Sequence, residues 1–282
     1  MKKTLLISLP IVVVVLVAAG YFFGMPTLQT NGYKATAKQD QAVLSASVDR
    51  AITAAKQNAF LQDDVTIAQA KNAVKISNDA ASDLESKINS NEKGLTNFSE
   101  LPWVTTVNGS YKTTLAVRSL EAEYVKAAKD YLAELKGVNK YDEQTIPILE
   151  LMEDVKDMPS LNDAADLNEA TAAIDNVIGK LNQVIKLANQ MKPTESMKES
   201  HELNLKTANE LVAIMKQMKT GVATLDVNLL MTSMQAVQDK TTSVEKKSKE
   251  LEINFVEKSK LTKLGDKLNS LSKQIDAKTS NW

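Results

Sequence analysis

The scarcity of helix-breaking residues is the feature that most constrains this chain. Beyond residue 32 the sequence contains four prolines and six glycines, and residues 34–93 contain neither. Proline removes a backbone donor, and glycine inside a helix costs about 1 kcal/mol relative to alanine, so long intervals without them favour long helices. No useful length of the chain beyond its N-terminal segment alternates apolar and polar residues as a half-buried strand does. The sequence therefore predicts an all-α fold.

Apolar residues recur at helical spacing along most of the chain. The most regular stripe comprises Leu167, Ala170, Ile174, Val177, Leu181, Val184, Ala188 and Met191. A second comprises Leu230, Met234, Val237, Thr241, Val244, Ser248, Leu251 and Phe255. An earlier one, Ile67, Val74, Ala81, Ile88 and Leu95, repeats every seven residues. Such spacing gives each helix one apolar face, so we expect an antiparallel helical bundle with coiled-coil-like seams.

The remaining breakers suggest how the chain is organised. The expected divisions are an N-terminal segment over residues 1–24, a juxtamembrane linker over residues 25–33, a long Ala-rich helix or helix pair over residues 34–93, a loop over residues 94–110 and a helical bundle over residues 111–282. Residues 58–64 are the expected position of a break within the Ala-rich region.

Three features predict helix ends within the bundle. Gly137 is the expected C-terminal stop of the helix that begins at residue 111. Pro147 is tolerated in a first turn, so a separate short helix is expected over residues 145–157. Ser160 to Asp163 resembles a capping box and is expected to start the helix with the most regular stripe.

A fourth feature is a break in register near the C-terminal end of the sequence. The step from Phe255 to Leu261 is six residues, whereas the stripes on either side advance by three or four. We therefore expect a kink or a change of packing partner near residues 260–265.

The first 24 residues are predicted to be a signal anchor. Lys2 and Lys3 precede an uncharged run over residues 4–23. At about 1.5 Å per residue such a run spans about 30 Å, the thickness of the hydrocarbon core of a bilayer. The positive flank is expected to stay in the cytoplasm, so the rest of the chain is expected to be extracytoplasmic. The aromatic residues 21–23 are expected at the outer interface.

A cleaved signal peptide is the competing interpretation. Val17, Ala18 and Ala19 provide a small-residue cleavage site after the apolar run. Because the run continues for four residues beyond that site, the uncleaved anchor is favoured. Cleavage would make the protein secreted, and both interpretations place the folded part outside the membrane.

Composition argues against several classes of function. The chain has no Cys, which excludes disulfides, thiolate metal sites and a cysteine nucleophile. Its formal net charge of −1 argues against nucleic-acid binding, which needs a basic surface. The sequence contains no Gly-x-Ser-x-Gly elbow and no phosphate-binding Gly loop. We expect a protein that is not an enzyme and that carries no metal or cofactor.

Four aromatic residues are candidate ligand or partner contacts. Trp103 falls in the expected loop, and Tyr111, Tyr124 and Tyr131 follow on the next helix. If a ligand pocket opens between the helices, these rings are its expected lining. The competing interpretation is that Trp103 covers one end of the bundle and that the tyrosines belong to the core.

His201 is the remaining candidate contact and the only histidine. An imidazole on a helical stripe can bind a metal or haem, or respond to pH. No second histidine and no cysteine is present, and Lys198 stands where a bundle metal site would place a glutamate. A partly buried structural histidine is therefore favoured.

Two stretches carry opposite charge. Residues 142–175 contain ten carboxylates and one lysine, and residues 240–278 contain ten lysines and six carboxylates. They are expected to be solvated helix faces, to pair with each other, or to dock on charged partners.

These observations favour a membrane-anchored extracytoplasmic helical scaffold that works through protein contacts. Its expected partners are the bilayer, through residues 4–23, and a protein at the membrane or cell surface, with no nucleic acid. The alternative is a solute-binding or sensing bundle with a ligand pocket between helices.

Overall fold

The computed structural model describes residues 20–56, 65–96, 101, 104–156, 166–280 and 282. Within these residues the chain is almost entirely helical and contains no strand, so the predicted all-α class is confirmed. None of the described helices is both long enough and apolar enough to cross a bilayer. The predicted anchor lies outside the described residues except for residues 20–23.

The described α-helices vary in length from one turn to thirteen. They are α1 (Met25–Lys56), α2 (Ile67–Thr96), α3 (Val104–Val107), α4 (Gly109–Lys156), α5 (Leu167–Gln190), α6 (Lys198–Thr224), α7 (Val227–Lys258) and α8 (Lys260–Thr279). A π-helical turn over Gly20–Gly24 precedes α1, and a 3-10 turn over Glu195–Met197 precedes α6.

The chain forms two compact units that interleave along the sequence. Unit 1 comprises Met1–Ile52, Ala80–Leu132 and Leu264–Trp282, and unit 2 comprises Thr53–Asp79 and Ala133–Lys263. Four helices, α1, α2, α4 and α8, therefore contribute residues to both units. The expected regions 34–93 and 111–282 do not correspond to separate units.

Unit 1 is an antiparallel four-helix bundle. Asp40 and Arg50 of α1 contact Asn91 and Asp83 of α2, in reversed order, at 3.1 Å and 2.8 Å. Ser45 of α1 lies 3.3 Å from Ser272 of α8, and Ile52 faces Gly265, which is again a reversed order. The first half of α4 packs with these helices. The core of unit 1 includes Leu44, Val48, Ala51, Leu84, Ile88, Tyr124, Tyr131, Leu268, Leu271 and Ile275.

Unit 2 joins the first part of α2 and the second part of α4 to three further helices. Ser77 of α2 donates a hydrogen bond of 2.6 Å to Asn139 of α4, and both side chains are buried. Helices α5, α6 and α7 follow as antiparallel hairpins, in which Lys219 of α6 binds Asp175 of α5 at 2.6 Å. An apolar cluster of Ile174, Met218 and Val222 lies between them.

Helix α5 confirms the central part of the most regular predicted stripe. Ile174, Leu181, Val184 and Ala188 are all buried, whereas Leu167, the first residue of that stripe, is 52% exposed. The predicted capping box over residues 160–163 lies outside the described residues. The cap of α5 is Asp166, whose carboxylate accepts hydrogen bonds from the backbone N–H groups of residues 168 and 169.

The predicted linker over residues 25–33 is wrong, because these residues form the first turns of α1. Pro26 is the second residue of α1, close to the π-helical turn, where its missing N–H falls near a change of hydrogen-bond pattern. Gly32 weakens the helix by about 1 kcal/mol relative to alanine. Burial of Ala37 and Leu44 on the same helix offsets that cost.

The predicted helix stop at Gly137 is also wrong. Helix α4 continues through Gly137 and Pro147 to Lys156, so the separate helix expected over residues 145–157 is its last part. A Cβ atom on Gly137 would lie 2.3 Å from Cγ2 of Thr194. The glycine therefore permits close packing of the segment before α6 and does not end a helix.

Two further boundaries differ from the sequence analysis. The expected loop over residues 94–110 contains the end of α2, the single turn α3 and the start of α4. Helices α1 and α2 are separate, because residues 65 and 66 are non-helical, although the expected break at residues 58–64 lies outside the described residues.

The predicted break in register near residues 260–265 occurs one residue earlier, at Ser259. This residue has extended backbone angles, φ −60° and ψ 159°, between α7 and α8. Its Oγ accepts a hydrogen bond of 3.1 Å from the backbone N–H of Thr262, so Ser259 caps α8.

A buried polar contact links α1 to α4 in unit 1. The Tyr33 hydroxyl donates to the Glu121 carboxylate, and Glu121 is 5% exposed. Burial raises the pKa of Glu121 to about 7; the Tyr33 hydrogen bond opposes this rise, and the charge of Asp40 adds to it. Burial and the nearby Glu121 carboxylate raise the pKa of Tyr33, so the tyrosine keeps its proton.

Leu181 and Leu167 test whether the stripe on α5 stabilises unit 2. Leu181 is 3% exposed, whereas Leu167 on the same helix is 52% exposed. We expect Leu181→Ala to reduce the free energy of unfolding by about 2–5 kcal/mol, through lost burial and a residual cavity. Leu167→Ala should cost less than about 1 kcal/mol. Urea unfolding followed by circular dichroism measures the stability of both variants. Equal losses would contradict the difference in burial between the two leucines.

Glu121 predicts a pH dependence of stability. The unfolded chain ionises this carboxyl above pH 4.5, whereas the folded chain keeps its proton up to a pKa of about 7. The stability that is present below pH 4.5 is therefore lost as the pH rises towards 7. Between pH 5 and pH 7.5 the wild type should lose about 2–3 kcal/mol of its free energy of unfolding from this group. Glu121→Gln stays neutral and should not show this loss.

The matched control is Glu123→Gln, two residues along α4 and exposed. Urea unfolding of the wild type and both variants in detergent at the two pH values makes the comparison. If the free energy of unfolding depends on pH in the same way in the wild type and in Glu121→Gln, the assignment of Glu121 as a buried neutral carboxyl is wrong.

Candidate functional site

The three candidate tyrosines are core residues of unit 1. Tyr111, Tyr124 and Tyr131 are each no more than 1% exposed. The Tyr111 hydroxyl accepts a 2.7 Å hydrogen bond from the backbone N–H of Leu101. Burial raises the pKa of Tyr124 to about 12, opposed by a hydrogen bond with Ser45, so its hydroxyl stays neutral. Trp103, the fourth aromatic candidate, lies outside the described residues.

His201 lies in unit 2, half-buried in the first turn of α6. Its Nδ1 is 3.4 Å from the Tyr141 hydroxyl, and the two rings meet edge to face with centroids 5.8 Å apart. Across the described parts of the chain, no group of three or more His, Asp or Glu side chains is placed to hold a metal ion. His201 therefore packs against Tyr141.

Beside this pair, unit 2 contains a cleft of about 850 Å³, called here the unit 2 cleft. It lies between the second half of α4, the segment that leads into α6, and the end of α7 with the start of α8. Its lining comprises Tyr141, Asp142, Thr145, Leu149, residues 195–200, Asn204, Ser248, Lys249, Leu251, Glu252, Asn254, Phe255, Lys258, Ser259, Lys260 and Lys263. None of the three core tyrosines lines it.

At one end of the cleft, Glu134 connects the two sides through a hydrogen bond and an ion pair. Its carboxylate accepts a 3.3 Å hydrogen bond from the backbone N–H of Ser196 and lies 3.3 Å from Nζ of Lys260. The Ser196 hydroxyl accepts in turn from the backbone N–H of Leu261 at 3.3 Å. Helix α4, the α6 entry and the start of α8 are thereby held together.

The charge of Glu134 is stabilised although its side chain is buried. Burial acts to raise its pKa, but hydrogen bonds from Ser196, Thr194 and Lys260 outweigh that effect and hold the pKa below its usual value. Glu134 is therefore ionised at neutral pH, and a charged carboxylate at this position keeps Lys260 at the end of the cleft.

Tyr141 forms part of the opposite wall. Its side chain is 5% exposed, and burial raises its pKa to about 12. The charge of Asp142 adds to the rise, and a hydrogen bond with Asn204 opposes it. The hydroxyl is therefore neutral and is fixed between His201 and Asn204, with limited freedom to rotate.

The cleft combines an apolar interior with a charged rim. Leu149, Met197, Leu251 and Phe255 supply apolar surface. The rim carries five lysines, Lys198, Lys249, Lys258, Lys260 and Lys263, and four carboxylates, Asp142, Glu195, Glu199 and Glu252. Both signs of charge are thus available to a polar ligand, with no marked excess of either.

Sequence reasoning missed the cleft, although one signal pointed to it. The six-residue step from Phe255 to Leu261 marks the break at Ser259, and that break ends one wall of the cleft. Tyr141 and Asn204 carried no such signal, because helical spacing alone does not show which faces diverge.

A second surface of unit 2 departs from the predicted stripe on α7. Met234 was expected in the core but is 52% exposed, and Leu225, Val227 and Met231 are between 64% and 66% exposed. The turn between α6 and α7 also holds Leu225 at a φ of 55°, in the left-handed region. These four residues are called the apolar hairpin end.

The left-handed turn has the hydrogen bonds of a helix C-cap. The backbone N–H of Asp226 donates to the Gly221 carbonyl at 3.0 Å, and that of Leu225 donates to the Val222 carbonyl at 3.3 Å. Glycine usually occupies the left-handed position, because a side chain there costs about 1–2 kcal/mol. A leucine at this position is strained and also exposed.

Ion pairs link both charged stretches to other parts of unit 2. Carboxylates of the acidic stretch bind lysines from α2, α5 and α6, in the pairs Lys71–Glu150, Lys180–Asp154 and Lys219–Asp175. Lys240 of the basic stretch binds Glu210 of α6. Exposed pairs of this kind contribute little stability, at most about 1 kcal/mol each.

Comparison with known proteins does not extend the description of these sites. The chain matches no protein-family model, no curated protein sequence and no solved structure.

Proposed function

We propose that this protein is a membrane-anchored extracytoplasmic scaffold that binds a partner protein through the apolar hairpin end of unit 2. The exposure of Leu225, Val227, Met231 and Met234 on one turn and the helix that follows carries this proposal. Monomeric proteins rarely expose contiguous apolar patches, and those that do commonly use them for binding.

Strain at Leu225 supports the same proposal. Glycine is the most stable residue at a left-handed helix cap, so the leucine side chain does not stabilise the turn. Strained backbone positions are common where a side chain must be presented to a ligand. Asp226 is the only charged residue between positions 220 and 238, which leaves an apolar surface suited to a protein partner.

Residues 1–23 support the anchored location. Two lysines and an uncharged run of twenty residues fit a signal anchor with the folded part outside the cytoplasm. The described residues provide an exposed apolar surface and a cleft. We propose no enzymatic activity for this protein.

Leu225→Gly separates binding from folding. We expect the unfolding midpoint to stay the same or rise, because the left-handed strain of about 1–2 kcal/mol is removed while glycine adds entropy to the unfolded chain. Partner binding should weaken by about fivefold or more, because an apolar contact of about 1 kcal/mol is lost. The two effects have opposite signs, which a purely structural role for Leu225 does not predict.

Photo-crosslinking in intact cells measures the binding. With p-benzoylphenylalanine at Met231, we expect a discrete crosslinked product whose yield falls with Leu225→Gly. The same probe at Thr242, an exposed polar position on α7, should give no such product. A product of equal yield from both positions would contradict binding at the hairpin end.

The unit 2 cleft favours a second function, solute binding. Its volume of about 850 Å³ falls within the range of small-molecule sites, about 300–1,000 Å³. The neutral Tyr141 hydroxyl, Asn204 and charges of both signs suit a zwitterionic solute with an apolar part. A scaffold with a closed interior would not need this space.

Thr145→Phe tests the cleft by filling it. Thr145 lines the cleft, whereas Thr242 lies on α7 outside it. In a thermal-shift screen of amino acids, short peptides and betaines, solutes that stabilise the wild type should not stabilise Thr145→Phe. They should still stabilise Thr242→Phe. Unchanged shifts in Thr145→Phe would place the solute elsewhere.

A further inference from the structure

The start of α1 and the π-helical turn before it expose three apolar side chains. Phe23, Met25 and Leu28 are 55%, 51% and 75% exposed. Pro26 and Thr30 are buried. One side of this part of the helix therefore packs against unit 1, and another side exposes apolar residues. Such exposure is unfavourable in water unless another surface covers it.

Apolar contacts of the neighbouring residues pack this segment against the rest of unit 1. Tyr21 and Phe22 pack against the buried Val104 and Tyr111, and their own rings meet edge to face at 5.2 Å. Aromatic residues 21 and 22, which were expected at the membrane interface, are partly buried in unit 1. The helix that follows residue 19 is therefore part of the bundle from its first turn.

The stretches of sequence at the start of α1 and around the start of α4 carry only positive charge. Residues 20–39 and residues 101–120 contain lysine and arginine but no Asp or Glu. Lys38 and Lys112 are exposed, and Nζ of Lys34 lies 5.2 Å from the centroid of the Trp282 ring. Anionic lipid headgroups attract exposed basic residues, at about 1 kcal/mol for each residue near the surface.

The chain that precedes this segment supplies the remaining observation. Residues 4–19 are uncharged and mostly apolar, and they lead directly into Gly20. At about 1.5 Å per residue, Leu28 lies about 7–8 Å beyond Phe23 along the helix, a distance comparable to the depth of a headgroup layer. Lys34 lies about 16 Å beyond Phe23, outside that layer.

From these observations we infer that the start of α1 and the adjoining start of α4 form a membrane-contacting surface that lies on an anionic bilayer. This inference rests on the anchor of the proposed function. Phe23, Met25 and Leu28 enter the headgroup region, and Lys112 contacts lipid phosphates. The bundle therefore sits against the membrane without an intervening flexible linker.

Site-directed spin labelling tests the surface, because the natural chain has no cysteine. A nitroxide is attached to Leu28→Cys in the full chain, reconstituted in vesicles of 70% phosphatidylcholine and 30% phosphatidylglycerol. Val43→Cys is the matched control, since it is 41% exposed on the same helix. Residue 43 lies about 22 Å further along α1 than residue 28.

We expect the label at residue 28 to be accessible to oxygen and protected from a water-soluble nickel chelate. The label at residue 43 should show the reverse. Lys112→Gln should lower the protection of residue 28 several-fold in these vesicles and leave it unchanged in pure phosphatidylcholine.

Flotation of the vesicles distinguishes failure of the surface from failure of the anchor. If the protein floats but residue 28 is as accessible to the chelate as residue 43, the membrane-contacting surface is wrong and the anchor stands. If the protein does not float, both the anchor and this surface are overturned. Met25→Cys provides a second label position, and circular dichroism confirms that each variant is folded.

Discussion

Burial of one apolar stripe per helix is the interaction on which both units depend. The stripes are narrow and rich in small residues, so neighbouring helices approach closely and run antiparallel over many turns. Ala51 and Ala70 are fully buried, and Gly265 faces Ile52 and Tyr131 at van der Waals distance. Closely packed stripes leave little space for an internal ligand. The unit 2 cleft and the apolar hairpin end therefore occur where stripes diverge or end.

Helical spacing was enough to predict the fold class and the buried face of α5, but not the ends of helices. Gly137 satisfied every local rule for a stop, yet its missing Cβ makes room for Thr194, which is a tertiary requirement. Pro26 looked like part of a linker, and the π-helical turn before it accommodates its missing donor. Ser259 was close to its predicted position, because a break in stripe register reflects a change of packing partner directly.

The candidate site was predicted less well, for a physical reason. Aromatic residues at helical spacing can fill a core or line a pocket, and spacing does not distinguish these outcomes. Tyr111, Tyr124 and Tyr131 are in the core, whereas Tyr141 lines a cleft. His201 was correctly expected to be partly buried, but its contact with Tyr141 depends on the pairing of α4 with α6. Pairing of distant helices is a property of the fold and has no local signature in the sequence.

The two exposed apolar surfaces differ in a way that bears on their partners. The start of α1 lies among lysines and contains no carboxylate, whereas the apolar hairpin end contains Asp226 and no lysine. A negatively charged bilayer attracts the first surface and weakly repels the second. This difference in charge supports the proposal that the first surface contacts the membrane and the second contacts a protein. The two patches are similar in hydrophobicity, so the charge of their neighbouring residues is what distinguishes them.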